Sequence, residues 1–185
     1  MQANPARTRR EVQYVSRSLE SDVYKASVYG TDVYTRQVID ETMRLYPPGW
    51  LMTRRALKDD QIGEYFVPAG TEIYISPYLI QRHPAFWEEP DRFNPDRFDA
   101  GQLHDRHGLA MLPFSAGPRK CIGEFFARIE MQIHLITIAK QLRLRSTDGN
   151  RVELDAGVNL RNKYDFIMTP EIQMHRALSA DAACK

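Results

Sequence analysis

The sequence predicts a mainly α-helical protein with small β-sheets, an α+β chain. Three observations carry that prediction. Apolar residues recur at helical spacing over 7–24, 33–46 and 123–142. Short runs rich in β-branched and aromatic residues fall within 51–76 and 151–173. Between them, 88–113 carries neither period and is rich in Pro, Asp, Arg, His and Gly.

The elements follow in order. Val12, Val15, Leu19 and Val23 mark one face of a surface helix over 7–24. "VYGTD" breaks it, and Thr31 or Asp32 can cap the next helix, which runs to Tyr46 and stops at Pro47-Pro48. Short strands are expected over 51–76, with a turn at Pro68-Ala69-Gly70, and a short helix over 77–87. The segment 88–113 is expected to be irregular, and such long segments in compact domains are usually functional or disordered. A long helix over 123–142 carries apolar residues on both sides and is expected to be buried. Two or three short strands should follow over 151–173, with a frayed tail after 175.

At 185 residues the chain is long enough for one domain or a little more and for a sizeable core. The net charge of +1 gives no reason to expect a nucleic-acid partner. Cys121 and Cys184 are too far apart in sequence to make a disulfide framework. No apolar run approaches the ~18 residues of a membrane span. The basic start, "MQANPARTRREVQYV", lacks the apolar core of a secretory signal. These features point to the cytoplasm and are compatible with a longer form anchored to a membrane ahead of Met1.

Three stretches carry chemistry. In "VIDETMRLYPP", Tyr34, Val38, Glu41 and Leu45 share one helix face, and Ile39, Met43 and Tyr46 share another. Glu41 therefore lies in an apolar stripe, where a carboxylate needs a partner. Arg44 is three residues on, so the wheel favours a buried Glu41–Arg44 pair over a surface one. "EEPDRFNPDRF" repeats Pro-Asp-Arg-Phe at 90–93 and 95–98, offering proline stiffness, aromatic anchors and guanidinium forks for a carboxylate. "PFSAGPRKCIG" sets Cys121 among glycines and two basic residues at the start of the long helix, where a thiolate is favoured. Such a thiolate suits a nucleophile, a redox sensor or a metal ligand. A zinc site lacks partners in ligand spacing, since His104 and His107 precede the loop without a second cysteine. A Cys–His nucleophile pair stays open. So does a haem site, which needs one protein thiolate and cations such as Arg119 for the propionates.

"FSAGPRKCIG", 114–123, resembles the haem-binding loop of the cytochrome P-450 superfamily, FxxGxRxCxG, at Phe114, Gly117, Arg119, Cys121 and Gly123. "ETMR", 41–44, resembles its ExxR motif, and "NPDRF", 94–98, its PxRF segment. Their order and spacing fit, with "LYPP" and "VPAGT" between them. The resemblance is close over about 32–145.

The resemblance implies roles. Cys121 would ligate haem iron as the proximal thiolate, and the cofactor would be haem b, iron protoporphyrin IX. Arg119 and Arg54 would bind propionates, although Arg55 beside Arg54 competes for that role. Phe114 would pack near thiolate and ring, and Gly117 and Gly123 would let the loop bend beneath it. Glu41, Arg44 and Arg97 would form a structural triad. Substrate contacts would come from 48–52 and 158–160. No catalytic residue beyond the haem ligand is identified. The implied partners are a small, apolar organic substrate and a flavin or iron–sulfur redox protein. In the family a distal helix upstream of ExxR carries an acid–alcohol pair that handles bound oxygen. About 30 residues precede the ExxR helix here, and none resembles that motif. The expectation is that residues 1–185 are the C-terminal haem-binding part of such a fold, with a separate N-terminal half among the implied partners. Two functions follow: a haem-thiolate monooxygenase represented by its proximal part, or a truncated or split-gene haem-binding fragment with no turnover of its own. A haem-free, redox-responsive thiol protein is the third reading.

Overall fold

The computed structural model describes residues 33–99, 101, 107–147 and 149–172. The helix expected over 7–24, the cap residues Thr31 and Asp32, His104, Cys184 and the tail lie outside these residues.

Helix α1 spans Val33–Leu45, as the periodicity predicts. Both apolar faces are covered: Val38, Ile39, Met43 and Leu45 are buried, and Val38, Leu45 and Phe93 form a core cluster with the half-buried Tyr34, Tyr46 and Leu135 against it. The helix ends without a glycine cap. Pro47 has no N–H to offer, so the last four carbonyls need donors from elsewhere. Thr42 O accepts from Tyr46 N at 2.8 Å. Met43 O and Arg44 O each accept from Gln81 Nε2 at 3.0 Å. Leu45 O accepts from Arg82 Nη1. Two side chains nearly forty residues downstream thus complete the helix terminus.

Strand β1, Met52–Arg55, pairs antiparallel with β4, Glu72–Ile75, placing Arg54 opposite Ile73. Between them β2, Asp60–Ile62, and β3, Tyr65–Val67, form a hairpin. The expected turn at 68–70 is closed by Gly70, whose φ of +86° suits glycine. Ser76 caps the short helix α2, Pro77–Ile80, accepting from Leu79 N. The expected irregular segment follows, relieved among its described residues by a 3₁₀ turn over Pro95–Phe98. A second 3₁₀ turn, Gly117–Arg119, leads to helix α3, Glu124–Gln141. Strand β5, Leu142–Ser146, starts with no intervening loop and pairs with β8, Met168–Ile172. Strands β6, Leu154–Ala156, and β7, Leu160–Asn162, form the last hairpin. Of the two or three strands expected over 151–173, three are present. Strand β5 is an addition: its Leu-Arg-Leu-Arg alternation has period two but abuts the helical pattern directly.

The expectation that α3 is buried is corrected. No α3 residue falls in the buried class, and Phe125 and Phe126 are 78% and 71% exposed. The reason is one-sided packing. Leu135 reaches the α1 cluster, while the face bearing Phe125, Phe126, Ile129 and Ile133 has no covering element among the described residues.

Charge fastens α3 to α1. Arg128 Nη1 donates to Asp40 Oδ1 at 2.6 Å and its Nε to Glu124 Oε1 at 3.2 Å, while Lys120 Nζ lies 2.6 Å from Glu124 Oε2. The Lys120 hydrogen bond holds the Glu124 carboxyl below the usual glutamate range, with partial burial opposing it and Arg128 assisting.

Two outcomes are expected. Glu41→Ala, which strands the buried Arg44 described below, lowers the free energy of unfolding by about 3–5 kcal/mol in denaturant titration. Arg92→Ala, which breaks the exposed Glu89–Arg92 pair, costs about 0–1 kcal/mol. Equal losses would refute the burial argument. Because the Glu124 pKa is depressed on folding, its contribution is complete above about pH 4.3 and fades as pH falls through the lower folded value. Glu124→Gln should therefore flatten the acid limb of stability against pH, and an unchanged limb would count against it.

Candidate functional site

The site is built outward from Glu41, which with Arg44 is 0% exposed. Arg44 meets it bidentately: Nε donates to Oε2 at 2.6 Å and Nη2 to Oε1 at 2.9 Å. The other Arg44 donors go to backbone carbonyls: Gln81 O at 2.8 Å, just past α2, and Pro90 O at 2.6 Å and Arg92 O at 3.2 Å in the irregular segment. All five guanidinium N–H groups are thereby engaged. Its flat face lies over Trp87, 4.9 Å from the ring centroid. The buried pair favoured by the helical wheel is present.

The two Pro-Asp-Arg-Phe repeats take different parts. In the first, Phe93 enters the core while the Arg92 side chain pairs with Glu89 at the surface. In the second, Arg97 is buried and its Nε lies 3.4 Å from Glu41 Oε1. Its Nη1 donates to Glu88 O and its Nη2 to Glu89 O. Burial lowers the Arg97 pKa, partly opposed by the Glu41 charge, yet a guanidinium starts so high that it stays cationic. Asn94 completes the arrangement: its N–H donates to Glu41 Oε1 at 2.8 Å, and its side chain accepts from Asp96 N to start the 3₁₀ turn. Phe98 lies tilted on Trp87, ring centroids 6.0 Å apart.

The cysteine loop hangs from this frame. Gln81 Oε1 accepts from Leu112 N at 2.7 Å. Leu112 O accepts from Ser115 N at 3.2 Å, and Phe114 O accepts from Cys121 N at 2.9 Å. The tight path needs left-handed backbone at Ser115 (φ +66°) and Gly117 (φ +71°). Glycine takes this conformation freely, while for serine it costs about 1–2 kcal/mol. Pro118 then pre-sets the 3₁₀ turn that carries the exposed Arg119. Cys121 is exposed, three residues ahead of the first residue of α3. A Cβ at Gly123 would lie 3.7 Å from the Cys121 Sγ, so glycine keeps the space beside the sulfur clear. Phe114 is half-buried, with the Arg128 guanidinium 5.4 Å from its ring centroid.

Arg54 joins the loop from β1: its Nη2 donates to Ser115 Oγ at 3.2 Å and its Nη1 to Thr53 O at 2.8 Å. Its other three donors have no partner among the described residues. Arg55 alternates to the other side of the strand, where its Nη2 lies near the Gly70 turn. Of the two arginines, Arg54 is the one the structure brings to Cys121's loop. The segments 48–52 and 158–160 also meet: Leu160 N donates to Pro48 O, and Trp50 Nε1 donates to the adjoining Gly157 O, both at 2.9 Å. His107 Nδ1 accepts from Leu109 N, its ring facing Phe86, and no hydrogen bond joins Cys121 Sγ to a histidine among the described residues. No cluster of three or more His, Cys, Asp or Glu is placed to hold a metal among those residues.

Sequence reasoning missed Gln81, Arg82, Trp87 and Arg128. Gln81 and Arg82 had a readable cue. Pro47-Pro48 deprives α1 of its local C-cap, so some distant donor had to exist. Trp87 and Arg128 follow no periodicity that would separate them from other residues of their segments.

Comparison with known proteins places these features. A family model described as Cytochrome P450 matches residues 32–168. Cyclooctatin synthase of Streptomyces melanosporofaciens is 37% identical over 119 residues, covering 64% of this chain and 26% of that protein. Cytochrome P450 4g1 of Drosophila melanogaster is 36% identical over 137 residues, covering 71% of this chain and 25% of that protein. The crystal structure of the cytochrome P450DA heme domain superposes with a TM-score of 0.72 at 26% identity, over 76% of this chain and 31% of that one. Retinoic acid-bound cyanobacterial CYP120A1 shares the fold with a TM-score of 0.78 at 24% identity, over 87% of this chain and 39% of that one. The chain spans about a quarter of the length of the curated relatives it matches. Among the described residues, no helix is long and apolar enough to cross a membrane. With the Glu41–Arg44 helix, the 94–98 turn and the Cys121 loop all inside the matched region, this chain belongs to the cytochrome P450 family and carries an α+β portion of its fold.

Proposed function

We propose that this chain supplies the haem-ligating side of a haem-thiolate monooxygenase. One observation carries the reading: an exposed Cys121 sulfur on a tightly turned loop, with Gly123 beside it and Arg54 bonded to the same loop. This donor set fits haem b, which takes one soft anionic ligand and presents two carboxylates. Cys121 would hold the iron, Arg54 and Arg119 would each take a propionate, and Phe114 would pack beside the sulfur. Gly117 and Gly123 keep side chains away from the ring's approach. Glu41, Arg44 and Arg97 would act as a structural triad that holds the backbone carbonyls of 81, 88–90 and 92. Haem supplies the dioxygen chemistry, which a thiolate ligand promotes by donating electron density. The substrate would be a small apolar organic molecule, flanked by 48–52 and 158–160, and the electrons would come from a flavin or iron–sulfur protein.

A second reading is haem binding without turnover by this chain. The exposure of Leu51 and Val158, in the segments that would flank the substrate, favours it, because oxidation chemistry needs a dry, shaped pocket.

Reconstitution with haem, reduction and addition of CO should produce a thiolate-type Soret band that Cys121→Ala abolishes. Absence of haem uptake, or an unchanged band in that variant, would sink the proposal. Coupled substrate oxidation by the loaded chain then decides between the two readings. Arg54→Ala should weaken haem binding roughly ten- to hundredfold, the worth of a charge-assisted hydrogen bond. Arg55→Ala should leave it nearly unchanged, and the reverse order would reassign the propionate contact.

A further inference from the structure

We propose that Gln81 is a positioning residue for the Cys121 loop, acting through Leu112. The inference rests on the haem-thiolate reading for its purpose but on geometry for its content. Gln81 is fully buried. Its Nε2 donates to Met43 O and Arg44 O, its Oε1 accepts from Leu112 N, and its backbone carbonyl accepts from Arg44 Nη1. One side chain therefore joins the end of the Glu41–Arg44 helix to the start of the cysteine loop.

Few side chains can do this. The position needs two donors and an acceptor on one planar group, which is a carboxamide. A glutamate would set acceptor oxygens against two carbonyls. A leucine of similar size would strand three buried backbone groups. A neutral histidine has one donor and one acceptor, so it could keep Leu112 and one carbonyl only.

The consequence runs along the loop. Leu112 is held at both ends, its N–H by Gln81 and its carbonyl by Ser115 N. The turn it starts carries Phe114 O, the acceptor for Cys121 N, and Ser115 Oγ, the acceptor for Arg54. Moving Leu112 therefore moves the backbone that sets the sulfur and the contact that sets the cation together. Arg82 provides the contrast. It caps Leu45 O of the same helix end, lies over the rings of Tyr78 and Tyr46, and among the described residues has no hydrogen bond to the loop.

The test uses the full chain in two states. In the haem-free, unmodified chain, the Leu112 and Cys121 amides should exchange hydrogen slowly and at matching rates. In Gln81→Leu both should exchange roughly ten- to hundredfold faster. Arg82→Met should instead perturb the end of α1 and leave both amides as they were. In the haem-loaded chain, Gln81→Leu should shift the reduced CO spectrum from thiolate-type toward neutral-thiol-type, and Arg82→Met at comparable loss of stability should not. Should Gln81→Leu fail to fold, Gln81→His is expected to keep Leu112 protected while loosening the end of α1. A Leu112 amide that exchanges like an exposed loop amide in the unmodified chain overturns the proposal. So does an equal spectral shift in Arg82→Met. Failure of the unmodified chain to take up haem overturns the haem reading, and the exchange experiment still decides this one.

Discussion

The Glu41 carboxylate accepts two N–H bonds from Arg44 and one from Asn94, with Arg97 at 3.4 Å, in a place sealed from water. A buried carboxylate is costly unless each oxygen is satisfied, and a buried guanidinium is costly unless its donors are used. Here both conditions are met together. The donors of Arg44 that do not reach Glu41 reach carbonyls at 81, 90 and 92. The irregular segment has no ladder or helix to occupy its own carbonyls, and the two buried arginines take that place. The same charges that need shielding thus impose a single path on a stretch of chain that has no secondary structure to define it.

The cysteine loop inherits its position from that path. Gln81 stands at the end of α2, and its side chain links the end of α1 to Leu112. From there a turn with two left-handed residues, Ser115 and Gly117, brings Cys121 N to Phe114 O. Arg54 and Arg128 brace the loop from β1 and α3. The sulfur is exposed, but the loop that presents it is tied to the Gln81 side chain through Leu112 N, to Arg54 of β1 through Ser115 Oγ, and to Arg128 of α3 through the Phe114 ring. Bonds to groups from separate parts of the chain fix the path of this loop more closely than its own short 3₁₀ turn could.

The candidate site was legible in unequal measure. The Glu41–Arg44 pair could be read because 3.6-residue periodicity put a carboxylate in an apolar stripe with an arginine one turn away. Gly117 could be read because a tight turn asks for φ > 0. The division of labour between the two Pro-Asp-Arg-Phe repeats could not. Both have the same residues, and which arginine is buried depends on where α1 lies against them. Helix α3 misled for a related reason. Apolar residues on two sides state a demand for partners, and only one side meets α1 among the described residues.

The sequence by itself determined the local elements other than β5, the buried ion pair and the family, because periodicity, turn chemistry and short spaced motifs are properties of neighbours along the chain. Only the tertiary structure decided that Arg54 and not Arg55 reaches the cysteine loop, and that Gln81 and Arg82 finish a helix nearly forty residues upstream. It also brought 48–52 against 157–160. These are pairings between backbone groups and distant side chains. A carbonyl is identical in every residue, so its need for a donor leaves no mark on the residue that bears it. The fold alone says which side chain arrives.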